Sequence, residues 1–238
     1  MGIIKGLKSI NKYEEEQEKK RAERDRPKTV WFKLADKQKV EIAFLQELDD
    51  ESPNYSAKNG LGVLAVEHTN PENFRRRAVC SIDDEGACYG CEKHQEDYTL
   101  GWKGKTRLYI NVLVNDGENE PFVAVMSQSN SGQSITPTLR DEAIDEGTIS
   151  TKWFAISKAG KGTETNYTLR AKKEHGLNVE DYEVFNLEEN VLRQVPYNMQ
   201  EAHYLDGAAP AEKTDEGTDG GDTSAPKNDS SDSASVVW

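Results

Sequence analysis

The stretch Lys105-Thr106-Arg107-Leu108-Tyr109-Ile110-Asn111-Val112-Leu113-Val114-Asn115 decides the fold class. Leu108, Ile110, Val112 and Val114 fall on one side of an extended chain, and Arg107, Tyr109 and Asn111 on the other. Apolar residues at period two are the signature of a strand with one face in a core. Asn115-Asp116-Gly117 follows as a turn signal and leads into a second strand, Phe122 to Met126.

Outward from this hairpin the same pattern recurs. Val30 to Leu34 alternates, with Val30, Phe32 and Leu34 on one face and Trp31 and Lys33 on the other. Val40 to Leu48 and Leu61 to His68 are further candidate strands, separated by a loop rich in Asp, Ser, Pro and Asn. Thr136 to Glu146 reads as a helix, with Pro137 in its first turn and Gly147 just beyond its end. Thr151–Lys158 and Thr165–Lys172 form a last strand pair around Gly160-Lys161-Gly162. Asp181 to Leu205 mixes a short strand with helical pieces. No internal repeat is visible. The expectation is a mainly β chain, an OB-fold-like Greek-key barrel with an inserted zinc-ribbon subdomain and flanking short helices.

The chain has 238 residues and a net charge of −13, unevenly spread. Residues 1–28 hold nine Lys/Arg against six Asp/Glu and read as a charged, helical arm ended by Pro27. Residues 206–238 hold two Lys against eight Asp/Glu among Gly, Ala, Ser, Thr and Pro, and read as a disordered acidic tail. That tail ends in Val236-Val237-Trp238, an apolar tip that marks a candidate partner-binding motif. The core is then expected over residues 29–205, with its zinc subdomain at about 66–100. No segment approaches the ~20 apolar residues of a membrane span. Neither a signal peptide nor a complete myristoylation motif is expected, because the N-terminus lacks an apolar run and Gly6 replaces the required hydroxyl residue.

Cys80, Cys88 and Cys91 are the only cysteines. An odd, tight cluster is a poor disulfide framework and points to a reducing compartment. With His68 the spacing becomes His68-x11-Cys80-x7-Cys88-x2-Cys91. The knuckle Cys88-Tyr89-Gly90-Cys91 presents two sulfurs to one ion, and His68 and Cys80 complete a tetrahedral set for one structural zinc. His94, three residues past Cys91, is the alternative to His68. Four protein ligands leave no open position for a reactive water. A zinc deaminase needs His-x-Glu and Pro-Cys-x-x-Cys, whereas His68 precedes Thr69-Asn70 and Cys88 follows Ala87. The glycines near Lys161 lack P-loop spacing. Asp83-Asp84-Glu85 could suggest a nuclease, but three consecutive acids cannot all face one ion. The expectation is a binding protein and not an enzyme.

Binding of unpaired strands needs cations for phosphates and aromatic faces for bases. Arg75-Arg76-Arg77 lies between His68 and Cys80. Trp102, Lys103, Lys105, Arg107 and Tyr109 lead into the decisive strand. Trp31 and Lys33 lie opposite an apolar face, and Lys152, Trp153, Arg170 and Lys172 surround the last strand pair. Tyr167 shares a face with Leu169 and is expected in the core.

The zinc spacing within a strand-rich chain, together with Gly101-Trp102-Lys103-Gly104-Lys105-Thr106-Arg107-Leu108-Tyr109-Ile110-Asn111-Val112, resembles the single-stranded-DNA-binding (helix-destabilising) proteins of large tailed phages, most of all the versions in phages of actinobacteria. The resemblance spans roughly residues 28–205. It implies zinc binding by His68, Cys80, Cys88 and Cys91, and DNA contact near Arg75–Arg77 and Arg107–Tyr109. It also implies self-association along DNA through the basic arm, recruitment of replication and recombination proteins by the acidic tail, and work in the cytoplasm of an infected bacterial host. The arm departs from the family in carrying only Lys8-Ser9 where a denser basic and hydroxyl cluster is usual. A zinc-ribbon interaction factor that does not coat DNA, such as a recombination mediator or transcription regulator, is the alternative reading.

Overall fold

The computed structural model describes residues 28–205, with residues 6–8 and 13. The rest of the expected arm, and the acidic tail with Val236, Val237 and Trp238, lie outside the described residues. Seven antiparallel strands form one sheet: β1 (Lys39–Phe44), β2 (Val63–Asn70), β3 (Asn73–Val79), β4 (Lys105–Asn115), β5 (Phe122–Ser129), β6 (Lys152–Ala159) and β7 (Asn166–Glu174). Between them lie α1 (Ile82–Glu85), α2 (Tyr89–Glu96) and α3 (Thr136–Glu146), and after them α4 (Leu187–Asn190) and α5 (Tyr197–Leu205).

The decisive stretch is strand β4, with the bounds its alternation predicts. It is the organising strand of the sheet. Its first half pairs with β2, its second half with β1, and nearly its whole length with β5. β1 also pairs with β6, and β6 with β7. The Tyr167 N–H of β7 donates to the Gln133 carbonyl just past β5, at 3.0 Å, which draws the two sheet ends together. The inward residues Leu108, Ile110, Val112 and Val114 pack with Ile42, Phe44, Met126, Phe154 and Ile156 in the main core. Tyr167 packs against that core, as its face predicts.

Helix α3 lies between β5 and β6, also with its predicted bounds. Pro137 sits in the first turn, where its missing N–H has no bond to make. Gly147 ends the helix at φ 71°, a left-handed conformation that glycine adopts without strain. The next residues are clipped by Glu47, which is 2% exposed. Its carboxylate accepts from the N–H groups of Ile149 and Ser150, at 3.0 and 3.1 Å, and from the hydroxyls of Thr148 and Ser150, both at 2.5 Å.

Three expectations are corrected. Val30–Leu34 forms no strand and makes only a single bridge, Trp31 to Val125. The interval 69–103 contains a full strand, β3, made by polar residues whose alternation is hidden by three consecutive arginines. Asp181–Leu205 contains helices and no strand among the described residues. The outer face of β4 is also not open. Trp31 and residues 185–192 lie across it, so Tyr109 and Asn111 are buried along with the inner face.

Candidate metal centre and basic face

β2 and β3 form the hairpin that carries His68 and runs on to Cys80, and α2 begins at the cysteine knuckle. The structure brings His68, Cys80, Cys88 and Cys91 together: their ligand atoms all lie within 4.8 Å of one another. Cys80 Sγ is 3.5 Å from Cys91 Sγ, and Cys91 Sγ is 3.3 Å from His68 Nε2. A disulfide would require about 2.05 Å. Two ligands sharing one tetrahedral zinc stand about 3.6–3.8 Å apart, given Zn–S of about 2.3 Å and Zn–N of about 2.0–2.1 Å. The observed spacings fit a shared ion.

The imidazole is set for that role. His68 Nδ1 lies 2.7 Å from the Trp102 carbonyl. A carbonyl only accepts, so Nδ1 carries the proton and Nε2 keeps its lone pair toward the thiols. Burial holds the His68 pKa below its usual range, against the raising effect of the Trp102 carbonyl, and so favours the neutral ring. Burial also raises the Cys80 thiol, against the lowering effect of hydrogen bonds with the Ile82 backbone and Cys91, and pushes Cys91 up to about 12, with Cys80 and Cys88 adding to the rise at Cys91. At Cys88 burial acts upward as well, but hydrogen bonds from the Cys91 and Ser81 backbones outweigh it and lower the pKa. Three thiols and a neutral imidazole crowded this closely are a donor set whose joint ionisation a divalent cation would favour.

Two glycines flank the ring. A Cβ at Gly90 would lie 2.3 Å from His68 Cγ, and one at Gly104 would lie 3.2 Å from His68 Cε1. Behind the site Tyr89, Trp102 and Tyr204 form an aromatic wedge, with Tyr89 stacked on Tyr204 at 5.9 Å and Trp102 edge-on to Tyr204 at 5.1 Å. Trp102 is therefore core, which corrects its reading as a base-stacking surface. His94 is outside the four-residue cluster, and its Nδ1 is buried with no hydrogen-bond partner. Asp83, Asp84 and Glu85 lie on α1, where Glu85 accepts from the Tyr197 N–H that opens α5.

The remaining cation and aromatic candidates divide clearly. Tyr109 is fully buried, and its hydroxyl donates to Glu67 at 2.8 Å. Trp31 packs edge-on against Tyr109 at 6.4 Å, and Trp153 packs edge-on against His175 at 5.6 Å. These rings are structural because chain segments cover the faces the alternation left open. Lys152 is held by Glu142 and Glu146 at 3.1 and 3.0 Å, and Lys172 reaches Glu41 at 3.5 Å. Arg107 lies 3.8 Å from Glu67 and donates to Ser127 at 3.3 Å. Arg75, Lys33, Lys103, Lys105 and Arg170 are exposed, and Arg76 and Arg77 are half-buried.

Strand register groups some of these cations. Arg107 stands opposite Ala65 and Ser129, Lys105 opposite Glu67, and Arg77 opposite Thr69. Directly opposed residues share a face, so Arg77, Lys105 and Arg107 line one side of β3, β2 and β4, the side that also holds Tyr109 and the buried Glu67, while Arg75 lies in the irregular part of β3 between Asn73 and Arg77. Phe74 and Tyr98, both in the segment between β1 and β4 that holds the Cys/His cluster, are 61% and 80% exposed. Phe74 was hidden by its charged neighbours and Tyr98 by an irregular loop, so neither carries a period to read.

No protein-family model, no curated protein and no solved structure matches the chain. Among the described residues no helix is long and apolar enough to cross a membrane.

Proposed function

We propose that the chain is a single-stranded-DNA-binding protein whose insertion is built around one structural zinc ion. His68, Cys80, Cys88 and Cys91 would hold the ion, and its contribution is to cross-link a segment with little core of its own. We read β1, β4, β5, β6 and β7, with α3 between β5 and β6, as a five-stranded OB-type barrel. Its pairings, β1 to β4 and β6, β4 to β5 and β6 to β7, support this reading. In that architecture oligonucleotides use the face of the second and third strands and the neighbouring loops. Those elements correspond here to β4, β5 and the insertion between β1 and β4.

The observation that carries the proposal is the shared face of Arg77, Lys105 and Arg107 across β3, β2 and β4, with the exposed Arg75 two residues before Arg77 in the chain. It gathers cations in a chain whose net charge is −13. Phosphates would meet these groups while exposed rings such as Phe74 stack on bases, each base contributing about 1–3 kcal/mol. The exposed apolar residues Leu64 and Val66 on β2 favour the second reading, a zinc-stabilised protein-interaction factor.

Titration with oligo-dT of increasing length, beside a duplex control, separates the two. The proposal requires salt-sensitive binding that strengthens with single-strand length and leaves duplex weakly bound. Absence of length-dependent binding at low salt would reject it.

A further inference from the structure

α5 is the last described element, and its contacts are with the metal-bearing insertion. Gln200 is 0% exposed and reaches back more than a hundred residues into the space between the two cysteine loops. Its Oε1 accepts from the Tyr89 N–H, directly after Cys88, at 2.9 Å. Its Nε2 donates to Ser81 Oγ, directly after Cys80, at 2.8 Å, and to the Val195 carbonyl at 2.9 Å. Ser81 Oγ in turn donates to the Ala87 carbonyl, directly before Cys88, at 2.6 Å. One amide thus joins the loop after Cys80 to the loop around Cys88.

A second contact reaches the histidine strand. The Tyr204 ring belongs to the aromatic wedge, its hydroxyl donates to the His68 carbonyl at 3.3 Å, and its own carbonyl accepts from Asn70 at 2.9 Å. A third lies on the outside, where the Tyr197 hydroxyl donates to Glu92 of α2 at 2.6 Å. Every segment that carries a metal ligand is therefore gripped by α5 next to that ligand. The main packing of α5 is on β3 and α2, beside the Tyr204 bonds to β2.

We propose that metal binding and docking of α5 are one linked equilibrium, with Gln200 as the positioning residue that sets the distance between the Cys80 and Cys88 loops. The inference rests on the reading of the four-residue cluster as a metal centre. Linkage is reciprocal: if α5 tightens the metal site, the metal tightens α5 by the same factor. Groups one shell away from a metal commonly change its affinity by about 10–100-fold. Leu205 is followed at once by the acidic residues 206–238, so the metal also fixes the point from which that stretch departs.

The test uses the full chain, zinc-loaded or stripped by chelator, with hydrogen–deuterium exchange followed by peptide mass spectrometry. Chelation should raise exchange in residues 197–205 at least tenfold while β4 and β5 stay protected. In a parallel competition titration, Gln200→Met, which keeps the side-chain volume but makes none of the three bonds, should weaken zinc binding about tenfold or more. Should that variant fail to fold, Tyr197→Phe loses one outer contact and should weaken zinc by a smaller, measurable factor. Unchanged exchange in α5, or its opening only together with β4 and β5, overturns the linkage while leaving the metal centre standing. So does zinc affinity equal to the parent's in both variants. A chain that takes up no stoichiometric zinc overturns both readings.

Discussion

Gly90→Ala sets two physical effects of opposite sign against each other. Gly90 is the second residue of α2, and its φ is not in the left-handed region, so the backbone accepts alanine. On helix propensity alone the change would stabilise by about 0.5–1 kcal/mol. The new Cβ, however, would lie 2.3, 2.5 and 2.8 Å from Cγ, Cβ and Nδ1 of His68, where ordinary contacts begin at 3.4 Å. The ring must retreat by about 1 Å, while metal–ligand distances tolerate about 0.2 Å. His68 also cannot swing freely, because Trp102 holds its Nδ1 and Gly104 backs its Cε1. Zinc affinity should therefore fall about 10–100-fold, or about 1.4–2.8 kcal/mol. Competition against a chromophoric chelator measures the affinity, and thermal melts with and without excess chelator measure the helix effect. Both forms of the variant should melt below the parent, the loaded form by the larger margin. A Gly90→Ala chain that binds zinc as tightly as the parent would refute the placement of the His68 ring against the knuckle.

Other outcomes follow from the same geometry. Glu47→Ala removes a buried acceptor and strands the Ile149 and Ser150 N–H groups, so the chain should lose about 3–5 kcal/mol in denaturant unfolding. A loss under 1 kcal/mol would contradict the clip. Burial lowers the pKa of both His175 and His203, so below about pH 6.5 the unfolded chain takes up protons before the folded one. Stability of the chelator-stripped chain should thus fall as pH drops from 7.5 to 5.5, and the His175→Gln/His203→Gln double variant should flatten that slope; an equal slope counts against it. Arg75→Ala should leave the melting temperature unchanged, weaken oligo-dT binding, and reduce the log–log salt slope by about 0.7. An unchanged slope would remove Arg75 from the phosphate path.

Most strands of the sheet were legible because they alternate. β4 and α3 appear with the bounds that Leu108–Val114 and the Pro137–Gly147 pair indicate. The four residues that cluster were legible because knuckle spacing is local chemistry. What could not be read is what covers a face once the chain has folded. Tyr109 and Trp153 looked like exposed rings because their covers, Trp31 with residues 185–192 and His175 with the residues that follow it, come from remote segments. The outer support of the Cys/His cluster was invisible for the same reason: Gln200 and Tyr204 have no pattern linking them to a knuckle more than a hundred residues away.

The way β4 serves three partners also shapes how the chain must come off the ribosome. Ala43 of β1 pairs with Leu113, and Ile42 with Phe154, so β1 emerges long before either neighbour exists. At about 5–20 residues per second, some 4–14 seconds of synthesis separate β1 from β4. During that interval Ile42, Phe44 and an unpaired strand edge are available to chaperones or to other nascent copies. The hairpin of β2 and β3 and the cysteine knuckle are synthesised before β4 appears, so His68, Cys80, Cys88 and Cys91 are all out while β1 still waits for its neighbours, and α5, which backs them, comes last.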